Sequence, residues 1–89
     1  MARLLIKSAE EALGANTGAA KIFSNARLVR VVNTTANAHL VTLVASVGGA
    51  VVGSFTLAPS ESVELVKDPL NGIFAANSAV KGAAVGYSN

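Results

Sequence analysis

The chain has 89 residues, seven Lys and Arg against five Asp and Glu, a net charge of +2, one His and no Cys. That length allows one domain with one core and leaves no room for a separate catalytic domain. The absence of Cys excludes disulfides, and a single potential nitrogen ligand, His39, makes a structural zinc site implausible.

Arg3 to Lys7 reads as a short β-like segment. Ser8 to Gly14 follows, with a Ser-Ala-Glu-Glu-Ala-Leu spacing that suits either one helical turn capped by Ser8 or an irregular arm. Ala15 to Ala20 is small and polar between Gly14 and Gly18, the composition of a flexible loop, and Ile22 and Phe23 are where pairing would resume. The expected organisation is therefore an N-terminal arm and loop over residues 1–25 and a β-domain over 26–89.

From Arg27 the pattern is regular. Arg27 to Asn33 is rich in Val and Leu, Thr34 to Ala38 is turn-like, and His39 to Val47 alternates, so the two segments are expected to pair antiparallel. Gly48-Gly49 marks a hairpin before Ala50 to Leu57, where Val51, Phe55 and Leu57 can share a face and Gly53 suits a bulge. Ala58 to Glu61 is a Pro-Ser turn, and Ser62 to Lys67 alternates again, Val63 and Leu65 against Ser62 and Glu64. Asp68-Pro69-Leu70-Asn71-Gly72 is a strong turn, because Pro fixes φ and Asn-Gly tolerates positive φ. Ile73 to Ala75, then Ala83 to Tyr87 after a loop from Asn77 to Gly82, complete the set. Six to eight short strands with turns every eight to twelve residues define an all-β fold, a single small antiparallel β-sandwich or barrel with an extended N-terminal arm.

The rival to this reading is a single-span membrane protein. Leu40 to Ser60 carries no charge, is long enough to cross a bilayer, and holds Gly49 and Gly53 at small-xxx-small spacing. Against it stand the alternation of Val41, Leu43, Ala45 and Val47 with Thr42 and Ser46, the interrupting glycines and Pro59, and the lack of an aromatic belt or flanking basic cluster. Strands in a protein outside the membrane are the favoured expectation. Met1 to Lys7 is too short for a signal-peptide core, so the chain is expected to stay in the cytoplasm where it is made, and the Asn33-Thr34-Thr35 sequon to carry no glycan.

Residues with chemistry are few. His39 is the sole histidine; a triad with Asp68 and a serine is conceivable, but nothing marks a nucleophile elbow, and a polar residue starting a strand is the simpler account. Glu10 and Glu11 are adjacent, and Glu61 and Glu64 fall on opposite strand faces, so neither pair makes an acid-base couple. Gly14, Gly18 and Lys21 superficially suggest a phosphate loop without its Gly-Lys-Ser/Thr ending. Arg27 and Arg30 are too isolated for a nucleic-acid footprint. No catalytic, cofactor or metal residue is assigned, and a non-enzymatic role is expected. With charged residues at only 13% and a mean hydropathy of +0.53, some apolar surface should end up against a neighbour, and a homo-oligomer is the remaining way to stabilise so small a core.

The order Val31-Val32-Asn33-Thr34, His39-Leu40-Val41-Thr42-Leu43, Gly53-Ser54-Phe55-Thr56-Leu57-Ala58-Pro59, Glu61 to Pro69 and Val85 to Asn89 resembles the small β-sandwich virion proteins of tailed bacteriophages. The resemblance spans about two-thirds of the chain and lies in strand and turn pattern; the first 25 residues do not share it. It implies a virion protein present in many copies, a capsid decoration or cement protein that binds the major capsid protein, or a component of the tail, neck or fibre, in which Tyr87 is the one polar aromatic for a sugar site. The candidate partner-binding residues are Leu4, Leu5 and Ile6 in the arm and Phe23 as an anchor, ordinary core packing being the alternative for each.

Overall fold

A computed structural model describes residues 3–88. Met1 and Ala2 of the expected arm, and Asn89 at the end of the expected sandwich, lie outside the described residues. The fold is an all-β sandwich of two antiparallel sheets with no α-helix among the described residues.

The strands are β1 (Arg3–Ile6), β2 (Glu11–Ala12), β3 (Leu28–Asn33), β4 (His39–Val44), β5 (Val51–Leu57), β6 (Ser62–Val66), β7 (Gly72–Ala75) and β8 (Val80–Ser88). The larger sheet runs β1-β8-β3-β6, with β2 also paired to β8, and the smaller runs β5-β4-β7. Alternation places Val29, Val31, Val80 and Ala84 of the larger sheet against Val41, Leu57, Ile73 and Ala75 of the smaller one, all buried. These side chains supply the main driving force, at roughly 25 cal/mol per Å² of apolar surface removed from water.

The β3 and β4 segments do not pair with each other, contrary to the sequence-based expectation. β3 lies between β6 and β8, and β4 lies between β5 and β7. The reason is the turn between them. Asn33, fully buried, donates from Nδ2 to the carbonyls of Asn37 (2.8 Å), Leu57 (3.1 Å) and Ala58 (3.2 Å), and its Oδ1 accepts from the Thr35 amide and hydroxyl. This network folds the link across the roughly 10 Å between sheets instead of back along one sheet. The burial of Asn33 also puts the sequon side chain out of reach of modification in the folded chain.

The segment expected as an arm and loop is part of the sandwich. β1 pairs with the far half of β8 from Arg3↔Ser88 to Ile6↔Val85, and β2 pairs with its near half. No helical turn forms after Ser8, whose Oγ instead accepts from the Ala84 amide at 2.9 Å, while Leu13 enters the core and its amide donates to Val80. Pairing then resumes at Lys21, bridged to Ile73, one residue before the expected Ile22. Between these points a 3-10 turn, Thr17–Ala19, is capped by Asn16 and bonded to the β4–β5 hairpin through Thr17 and Gly49. Ala20 is thereby buried beside Gly72 and Val44, on the outer side of the smaller sheet.

The expected turns form where their residues demand them. Gly48 takes φ +78 in the hairpin between β4 and β5, a conformation open to glycine at little cost. The β5 ladder carries an irregularity one residue from Gly53, between the Leu43 and Val44 pairings. At Ala58–Glu61 the Glu61 carboxylate accepts from the Ala58 amide at 2.8 Å, and at Asp68–Asn71 the Asn71 Oδ1 accepts from the Asp68 amide at 2.9 Å. Neither Asn71 nor Gly72 uses positive φ, however; Ser60 does, in the preceding turn. The uncharged stretch from Leu40 to Ser60 forms β4 and β5, and no helix among the described residues is long and apolar enough to cross a membrane.

Candidate protein-docking face

Directly opposed residues of an antiparallel pair point to the same side of the sheet. Since Val29, Val31, Val80 and Ala84 point inward, Arg30 on β3 and Ala83, Val85 and Tyr87 on β8 point outward. The register of β1 adds Leu4 opposite Tyr87 and Ile6 opposite Val85. The outer face of the larger sheet therefore carries an apolar strip on the β1–β8 ribbon. Ile6 is 79% exposed, Tyr87 51% and Leu4 46%.

A groove of about 200 Å³ lies on this face between Leu4 and Ile6 on one side and Arg30, Ala83 and Val85 on the other, with Ser8 and Glu10 closing one end. Its rim is polar. The Tyr87 hydroxyl donates to the Glu64 carboxylate, and Glu64 stands opposite Arg30 across the β3–β6 pair. An apolar strip bounded by polar groups has the anatomy of a protein contact surface.

The four residues singled out from the sequence separate. Leu4 and Ile6 share the strip, whereas Leu5, opposite Gly86, points to the other side of the ribbon and is 41% exposed. Phe23 takes the core packing that stood as the alternative to an anchor role. It is 2% exposed, and its ring lies where a side chain on residue 82 would stand, so that only Gly82 fits below it. Three successive left-handed residues, Phe23 (φ 54), Ser24 (φ 55) and Asn25 (φ 62), closed by the Ala26 amide donating to the Phe23 carbonyl, turn the ring under β8. A second cleft, about 570 Å³, lies between this turn and Val85–Gly86, with Lys7 and Arg27 and no carboxylate in its lining.

The groups with chemical potential are dispersed. His39 stands opposite Leu57, its Nε2 is buried without a hydrogen-bond partner, and among the described residues no hydrogen bond joins it to Asp68 or a serine. Glu61 is engaged in its own turn, and Glu11 forms an exposed pair with Lys21 at 3.9 Å, worth little in water. Among the described residues no three His, Asp or Glu side chains are placed to hold a metal. Lys67 is 4% exposed, with Nζ donating to the carbonyls of Asp68 and Pro69. Burial holds its pKa below the usual 10.5, an effect that the nearby Asp68 charge partly opposes.

Arg30, Glu64 and Val85 were not among the partner-binding candidates read from the sequence, and Tyr87 was considered there only for a sugar site. The alternation of Lys81, Ala83, Val85 and Tyr87 was a usable signal for their shared side. The pairing of β8 with β1, which assembles the strip, had no local signal. No protein-family model, curated protein or solved structure matches this chain.

Proposed function

We propose that the chain is a non-enzymatic structural protein of a virus particle, a capsid decoration or cement protein that binds the major capsid protein lattice of a tailed bacteriophage. The observation that carries the reading is the exposed apolar strip of Leu4, Ile6 and Tyr87 on one sheet face, with its polar rim of Arg30 and Glu64. The kind of partner is proposed from the resemblance of the sequence's strand and turn pattern to small virion sandwiches. Such a strip, repeated over a closed lattice, adds many weak contacts that together resist internal pressure without any strong individual bond.

Copy number in purified particles of the virus encoding the chain is the first test. Hundreds of copies per particle support decoration of the head, and a small number moves the protein to the tail, neck or fibre. Absence from the particle overturns the proposal. For a head protein, Ile6→Asp and Leu4→Asp are expected to weaken rebinding to stripped heads at least tenfold, since a charge must then be desolvated at the contact. A control at Leu70, which is 66% exposed in a distant turn, is expected to bind as wild type.

A further inference from the structure

The smaller sheet ends in an open edge. β5 runs seven residues with no charge and no proline, and it pairs only with β4 among the described residues. The Leu40 carbonyl accepts from the Ala76 amide on the β7 side of β4, so the main-chain groups of Leu40 and Thr42 face β7. By the alternation of an antiparallel ladder, Ser54 and Thr56, opposite Thr42 and Leu40, direct their N–H and C=O groups away from β4, where no described residue bonds them. Folded proteins usually blunt such an edge with charge, proline or a covering loop. The other end of this sheet is covered, since Gly14 and Lys21 bond to β7; β5 is not.

We propose that β5 pairs with β5 of a second copy about a two-fold axis at Ser54, joining the two smaller sheets into one six-stranded sheet. A second copy is favoured because this edge is self-complementary. An antiparallel pair centred on Ser54 exchanges both main-chain bonds between the two Ser54 residues and sets Val52 opposite Thr56. It also sets Phe55 of each copy across from Gly53 of the other. Phe55 is half-buried, and the space where a Gly53 side chain would stand is empty, so each ring has room to cover the facing glycine. Self-pairing of β6 would oppose Glu64 to Glu64, and β1 carries Arg3 and is followed by Lys7. Like charges directly opposed destabilise a strand pair. The two-fold arrangement also closes, where β5 on a different edge would propagate an open chain.

This inference does not depend on the virion role. The test is analytical ultracentrifugation of the full chain, of Ser54→Lys, of Ser54→Glu and of their equimolar mixture. Ser54 is exposed, and each variant is checked for wild-type circular dichroism. The wild type is expected to dimerise at roughly micromolar concentration, because one strand edge is smaller than the about 800 Å² per partner of a standard interface. Each variant is expected to dimerise at least about tenfold more weakly, and the mixture to recover a dimer. A wild type still monomeric at about 300 μM, far above a micromolar dissociation constant, overturns the proposal. So does a single variant that dimerises like wild type, or a mixture that stays monomeric.

Discussion

Asn33→Ala is the most informative single change in the core. The side chain is fully buried and its amide group makes five hydrogen bonds, three from Nδ2 and two to Oδ1. Two N–H groups serve three carbonyls, so one donor is shared, and four bonding opportunities are the sounder count. At a net value of about 1 kcal/mol each, less whatever water recovers at the more exposed Asn37 and Thr35 ends, the expected loss is about 3 kcal/mol, much of it from the orphaned Leu57 carbonyl. A chain of this length is held by roughly 4–13 kcal/mol in all. With a urea slope near 1 kcal/mol per M, the unfolding midpoint should fall by about 2–3 M. Asn33→Asp sharpens the test, because it keeps an acceptor for Thr35 but turns a carboxylate toward three carbonyl oxygens. It should be worse than Asn33→Ala at neutral pH. Its folded-state pKa is raised above the ordinary value of about 3.9, so the relative stability of Asn33→Asp is regained as pH falls through that raised value. A loss under about 1 kcal/mol for Asn33→Ala, or Asn33→Asp no worse than Asn33→Ala at pH 7, refutes the claim that this amide ties the two sheets together.

Two further outcomes follow from buried groups. The Gly82→Ala side chain would meet the Phe23 ring at 2.8 Å and Val29 at 3.4 Å, and the ring is held by the left-handed turn. Thermal unfolding should report a loss of about 1–3 kcal/mol, partly recovered by combining it with Phe23→Leu; a neutral Gly82→Ala would remove Phe23 from beneath β8. For Lys67, the lowered folded-state pKa means the unfolded chain binds the proton more tightly. Stability should therefore rise with pH between that lowered pKa and 10.5, and the rise should vanish in Lys67→Gln. Urea titrations of both proteins across this window measure the difference, and identical profiles would show that Lys67 titrates as in the unfolded chain.

Much of the fold was legible locally. The alternation of Val63 and Leu65 with Ser62 and Glu64 placed β6, and the hairpin at Gly48 and the turns at Ala58–Glu61 and Asp68–Asn71 formed at the residues whose side chains or conformational freedom suit them. The candidate site was legible only in part. Leu4 and Ile6 stand on the exposed strip, but their neighbours Val85 and Tyr87 lie some eighty residues away, and Phe23 belongs to the core.

The sequence alone determined strands β3 to β7, because a period of two and the dihedral preferences of Gly, Pro and Asn belong to a few consecutive residues, whereas β2 lay in the expected arm and the first three residues of β8 in an expected loop. Only the tertiary structure decided which strands are neighbours. β3 and β4 alternate in the same way and are joined by a short link, yet they face each other across the core because Asn33 finds its partners at Asn37, Leu57 and Ala58. Residues 3–25 likewise contribute two strands and part of the core because β8 extends beyond β3 and offers its far edge to β1. Backbone pairing is blind to sequence separation; its outcome is set by which remote side chains can be buried together.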